Sequence, residues 1–215
     1  AGASQPIDGP WSVEFIAGGP ALPKPFTAAA LASWTANGDP ATEPFAGTAR
    51  YRTTFEVSGV RCQVSEGKGA RDEGRGTKNA DPATSPLATR HTPASPHAAA
   101  LPPLVPRPSS LVLDLGDVRH VARVRLNGRD LGTAILRPYR VEVPADLLKP
   151  SGNELEIEVT NLAANRIRDL DRRKVEWRIF RDINLVNIKY KPFDASIWPV
   201  FDSGLLGPVV LHEGR

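Results

Sequence analysis

Apolar residues fall at every second position in a series of short runs along this chain. That is the period of a half-buried β-strand, whose side chains alternate between core and solvent. The clearest stretch is Ser110 to Asn161. Leu111, Leu113 and Leu115 form one set, ended by Gly116. Ala122, Val124 and Leu126 form the next, with Arg123 and Arg125 facing out. Asn127-Gly128 follows, a pair that tolerates the positive φ of a tight hairpin turn, so Leu131 to Ile135 reads as the return strand. Tyr139, Val141 and Val143 make another strand, and Pro144 to Leu148 predicts a short helical turn. Leu155, Ile157 and Val159 alternate with Glu154, Glu156 and Glu158, and a last strand is expected at Pro208 to Leu211. Upstream, Trp11, Val13 and Phe15 share one face. Tyr51, Thr53, Phe55 and Val57 alternate with Arg52, Thr54 and Glu56, a β-branched and aromatic pattern that suits a pleated, half-buried setting. Leu31 to Thr35 is a short apolar patch before a turn at Asn37 to Pro40, and Trp11 and Trp34 read as core or core-edge residues.

The alternation fails in two places. From Ser58 to Pro108 there is no Phe, Tyr or Trp, and Gly, Pro, Ser, Ala and charged residues crowd together. Such a segment buries too little apolar surface to offset the entropy of ordering it. We expect a long disordered insertion over 58–109 in a strand-to-strand loop, with the strands on either side reading as neighbours. A loop this long is unusual in a compact domain, which raises an unspliced or mistranslated stretch as an alternative. The second interruption, 162–206, reads as an irregular aromatic and charged region, and inserts of this kind carry surface function. The expectation is therefore one all-β domain over 1–215, an antiparallel sandwich broken by the insertion.

Composition narrows the function classes. The chain has 215 residues, 40% hydrophobic and 24% charged, with a formal net charge of +3. The arginines are scattered between acids, so no nucleic-acid footprint stands out. No apolar run approaches the ~20 residues of a membrane helix. The one cysteine, Cys62, excludes an internal disulfide and reads as incidental. There is no Met, even at position 1, which suggests a piece of a longer protein. His91 and His97 fall in the insertion, and His120 and His212 border strands, with no metal-ligand spacing among them. No phosphate-cradling glycine loop and no Gly-x-Ser-x-Gly elbow occurs.

The candidate chemistry lies in 162–206. Trp177, Tyr190 and Trp198 could stack on the apolar C–H face of a sugar, with Asn165, Arg166 and Asp169 supplying hydrogen bonds to its hydroxyls. The alternative is that the rings pin a long loop to the sandwich or to a neighbouring domain. The acids Asp169, Asp171, Glu176 and Asp182 sit among Arg166, Arg168, Arg172, Arg173 and Lys174. A glycosidase needs two carboxylates roughly 5–10 Å apart across the scissile bond. The plainer reading is a charge-paired surface.

The ordered series of motifs resembles a known group. Trp11-Ser12-Val13-Glu14-Phe15, Leu31-Ala32-Ser33-Trp34-Thr35 and Phe45 to Tyr51 come first. Leu113 to Val118 and the hairpin Val124-Arg125-Leu126-Asn127-Gly128 follow. Pro138-Tyr139, Gly152-Asn153-Glu154-Leu155 and Val159 to Leu162 close the set. Together they are similar to the jelly-roll, galactose-binding-like sandwich of glycoside hydrolases, as in the sugar-binding domain of family 2 enzymes. Asn165-Arg166-Ile167 with Asp169, and Gly204 to Val209, are closer to the C-terminal sandwich of family 106 α-L-rhamnosidases.

The resemblance implies a non-catalytic accessory domain of a larger hydrolase, whose acidic pair and any metal sit on a separate (β/α)₈ barrel. No catalytic residue is carried over to this chain. It also implies a secreted or periplasmic address, the barrel as partner, and a plant or algal polysaccharide as a further contact. No cofactor is expected. Calcium is common in such sandwiches, and Asp8, Asp39 and Asp202 are donors of the right type, though nothing separates them from turn residues. The competing readings are an autonomous carbohydrate-binding module and a structural or adhesive sandwich without a sugar role.

Overall fold

The computed structural model describes residues 4–57, 111–179 and 191–213. The expected insertion at 58–109, with Cys62, His91 and His97, lies outside the described residues, as do Asp182 and Tyr190. Twelve strands are seen among the described residues. They are β1 (Ser4–Pro6), β2 (Trp11–Gly19), β3 (Phe26–Ala28), β4 (Ala46–Phe55), β5 (Leu111–Asp114), β6 (Asp117–Arg119), β7 (Val121–Leu126), β8 (Arg129–Ala134), β9 (Arg140–Val143), β10 (Asn153–Thr160), β11 (Gly204–Gly207) and β12 (Val210–Glu213). One α-helix, α1 (Ala164–Arg172), follows β10. A six-stranded sheet runs β3-β2-β4-β10-β7-β8, a four-stranded sheet runs β1-β12-β5-β9, and β11 pairs with β6. Every strand pair is antiparallel.

The fold is an all-β antiparallel sandwich, and the alternation explains it. On β4, Tyr51, Thr53 and Phe55 are buried while Arg52 and Thr54 are exposed. On β10, Asn153, Leu155, Ile157 and Val159 are buried, with the glutamates on the outer face. Inward residues of both larger sheets join one core cluster, from Trp11, Val13 and Tyr51 on one side to Leu111, Leu113, Val141 and Leu211 on the other. Trp34 is 1% exposed and packs edge-on against Phe15 at 5.5 Å and Phe45 at 5.9 Å. Such edge-to-face aromatic pairs add to the stabilisation from the area they bury.

The outer face of the six-stranded sheet carries an alternating charge lattice. Arg52 reaches Glu156 at 2.9 Å, Arg125 reaches Glu156 at 2.7 Å and Arg50 reaches Glu158 at 2.8 Å. Arg123 pairs with Asp130 next to them. Opposite charges on directly facing positions support the register.

Two turns show why the motif residues matter. Asn127 and Gly128 both have positive φ, 50° and 81°, the backbone of the expected tight hairpin. Asn153 is fully buried; its Oδ1 accepts from Lys149 N at 2.8 Å and its Nδ2 donates to Lys149 O at 2.7 Å. Its Oδ1 also accepts from Asn127 Nδ2 at 3.1 Å, so the Gly-Asn-Glu-Leu turn is locked to the hairpin through one side chain.

The structure differs from the sequence expectations at several points. β4 and β5, read as neighbours, lie in opposite sheets; β4 pairs with β2 and β10 instead. The last strand begins at Val210, since Pro208 has no N–H to donate to a ladder. Within 162–206, expected to be irregular, the chain forms α1 and β11. The helix is short and its one buried residue is Asn165, so it shows no broad apolar stripe.

Candidate functional site

The chain leaves β10 at Asn161 and turns directly into α1. Asn161 holds this corner: its Nδ2 donates to Phe45 O at 3.0 Å and Ser203 Oγ at 3.1 Å, and its Oδ1 accepts from Gly47 N at 2.9 Å. Ser203 N in turn donates to Ser33 Oγ at 2.9 Å. The start of α1 is thereby tied to β4, to the turn before Trp34 and to the strand entering β11.

Asn165 is 3% exposed. Its Nδ2 donates to Phe201 O and its Oδ1 accepts from Phe201 N, both at 2.8 Å. The amide thus mimics a strand partner for one residue of the loop. Arg168 adds a second tie, donating from Nε to Trp198 O at 2.7 Å and from one terminal nitrogen to Glu43 at 2.7 Å. Arg166 and Arg173 both bind Asp169, at 3.0 Å and 2.7 Å, spacings of three and four residues that adjoin on a helix. Asp169 is the main cause that raises the Arg173 pKa.

Past the helix the chain reverses sharply. Lys174 N donates to Asp171 O and Val175 N to Leu170 O, the paired bonds of a Schellman ending. Lys174 takes φ of 56°, a left-handed position that glycine fills more easily. The reversal brings Trp177 and Arg178 back over the helix end. Asp171, with its side chain 7% exposed, accepts from Trp177 Nε1 at 2.7 Å, Ala195 N at 2.8 Å and Arg178 at 3.1 Å. A buried carboxylate needs this many donors.

The rings form a ladder. Trp177 meets Phe193 at 6.2 Å, Phe193 meets Trp198 at 5.5 Å and Trp198 meets Phe201 at 6.0 Å, all edge to face. The Arg178 guanidinium lies 5.3 Å from the Trp177 ring and 5.6 Å from Phe193, a cation–π arrangement. A cavity of about 270 Å³ opens beside them, lined by Lys174, Glu176, Trp177, Arg178, Phe193 and Asp194 among others. Along 162–201, Ile179 is 87% exposed, Ile197 85%, Leu162 57% and Phe201 43%.

Of the residues singled out from sequence, Trp177 and Trp198 share one ladder, joined through Phe193. Asn165 lies beneath it with both amide groups engaged, and Arg166 and Asp169 pair with each other on α1. The sequence placed Asp171 and Arg168 only in a charge-paired surface and gave Asn161 and Phe193 no part in this assembly. The partners of Arg168 and Asn161 are remote, Glu43 by 125 positions and Phe45 by 116, and no local spacing signals that. Among the described residues no group of three or more His, Cys, Asp or Glu is placed to hold a metal ion, so Asp8, Asp39 and Asp202 do not form a cluster. No helix among them is long and apolar enough to cross a membrane.

No family model matches the chain. A solved rhamnosidase from Novosphingobium sp. PP1Y superposes with a TM-score of 0.60 at 27% identity, over 98% of this chain. The chain thus resembles a β-sandwich portion of a much larger glycoside hydrolase. A curated protein named "Putative beta-glucuronidase", from Formosa agariphila, is 35% identical over 121 residues, 48% of this chain. The chain spans 15% of that rhamnosidase and 10% of that second relative, so both are several times longer.

Proposed function

We propose that this chain is a non-catalytic β-sandwich domain of a larger glycoside hydrolase of the α-L-rhamnosidase kind. In this reading it is one domain over 1–215, with 58–109 as an inserted loop. It braces the catalytic barrel and presents the α1 ladder towards that barrel or the substrate cleft. The carrying observation is the rhamnosidase likeness, which covers almost all of this chain and a small part of that one. The ladder supports it. Asn165, Arg168 and Asp171 commit their polar groups to holding the 193–203 segment, and Ile197 and Phe201 remain outside for a partner surface. The assay is turnover of aryl α-L-rhamnosides by this chain alone, with none expected. Hydrolysis that vanishes with Asp169→Asn or Glu176→Gln would overturn the proposal.

A second reading, an autonomous carbohydrate-binding module, is favoured by one observation: the Trp177 ring borders a cavity with Lys174, Glu176 and Asp194. Rings beside hydrogen-bonding groups suit sugars. It predicts retardation of the chain in gels containing a plant or algal polysaccharide, abolished by Trp177→Ala. Unaltered migration across a broad polysaccharide panel removes this reading and leaves the first in place.

A further inference from the structure

A second surface, away from the α1 ladder, has the makings of a ligand site. On the outer face of the six-stranded sheet lies a trough of about 620 Å³, within the range typical of ligand sites. Register lines up Thr27, Ser12, Arg52, Glu156 and Arg125 across five adjacent strands. At ~4.8 Å between strands the row is about 19 Å long, enough for several pyranose rings end to end. Thr54 and Glu154 stand opposite one another in the next outward row.

The charges here are balanced. The lining contains two arginines and two glutamates, and Arg52 and Arg125 both bind Glu156. The trough therefore offers little net field to draw an anion or a cation. Four other groups are uncommitted: among the described residues, the side chains of Ser12, Thr27, Thr54 and Glu154 make no hydrogen bond, although all line the trough. A flat protein partner would bury these hydroxyls and this carboxylate without satisfying them, which is costly. A ligand that carries its own hydroxyls satisfies them, and the guanidinium–carboxylate pairs keep spare donors and acceptors for vicinal diols.

We infer that this trough binds a neutral oligosaccharide lying across the strands, held by hydrogen bonds and without ring stacking. The choice of a saccharide rests on the glycoside-hydrolase reading above; the trough itself does not. The test is an NMR titration of the full isotope-labelled chain with cellohexaose, mannohexaose and xylohexaose, with hexagalacturonate as the anionic control. The expected result is that at least one neutral hexasaccharide shifts the amides of Ser12, Thr54, Arg125 and Glu154, more strongly than the uronate does. The double variant Thr54→Ala/Glu154→Ala, both positions exposed and unpaired, should weaken that binding about tenfold or more, the loss of one charged and one neutral hydrogen bond. Three outcomes overturn the inference. The first is no shift by any neutral hexasaccharide at millimolar concentration. The second is binding unchanged in the folded double variant. The third is shifts confined to the Trp177 and Trp198 indoles, which would sink the trough while supporting a sugar contact at the ladder.

Discussion

Replacing Asn165 with alanine separates a loop bracket from a sugar ligand. The wild-type side chain is 3% exposed and closes two bonds of 2.8 Å with the Phe201 backbone. Alanine removes both and strands an N–H and a C=O. Each lost bond is worth about 0.5–1.5 kcal/mol net, and an unsatisfied buried partner adds up to the desolvation cost of that group. Phe201 is 43% exposed, so water can reach part of this backbone and the total falls near the low end, about 2 kcal/mol. With a urea m-value of roughly 2 kcal/mol/M the midpoint should drop by about 1 M. Hydrogen exchange gives the residue-level readout: the Phe201 amide should lose protection before the core strands do. Arg166→Ala is the control. Asp169 keeps Arg173, and Arg166 is partly exposed, so its change should stay within about 0.5 kcal/mol. If Asn165→Ala matches the wild type in midpoint and keeps the Phe201 amide protected, the bracket reasoning is wrong.

Lys174→Gly should stabilise the fold by about 0.5 kcal/mol, because relief of ~1 kcal/mol at a left-handed residue is partly offset by unfolded-state entropy; thermal denaturation reads this. Gly204→Ala should cost about 3 kcal/mol or more and lower the Tm accordingly. Its φ is 103°, and a Cβ would overlap the Tyr51 hydroxyl and sit 2.7 Å from the Trp34 ring. Burial raises the Glu156 pKa, but Arg125 and Arg52 outweigh it and hold the carboxyl below the usual range. A depressed folded pKa means stability that is present above the unfolded carboxylate value and lost as pH falls through the folded one. Stability should therefore decline below about pH 4.3, and Glu156→Gln should make that decline shallower in urea titrations repeated across pH.

Much of the sandwich was legible in the chain because a strand's period of two writes burial directly into residue order. Leu155, Ile157 and Val159, with glutamates between them, left no other face for the core. Asn127-Gly128 specified its own turn through the backbone it tolerates. The helix was less legible. Its polar composition looked like a solvated loop, although the Arg166–Asp169 and Asp169–Arg173 spacings were a signal that could have found it.

What tertiary structure alone decided was partnership. Alternation determines which side chains face inward, yet it cannot say which sheet a strand joins, so β4 and β5 parted into opposite layers. Nor can it reveal that Asn165 is spent on Phe201, that Asp171 gathers Trp177, Arg178 and Ala195, or that a row of polar residues crosses five strands. Periodicity is a property of neighbours along the chain. Hydrogen bonds and troughs are properties of neighbours in space, and those are chosen by packing.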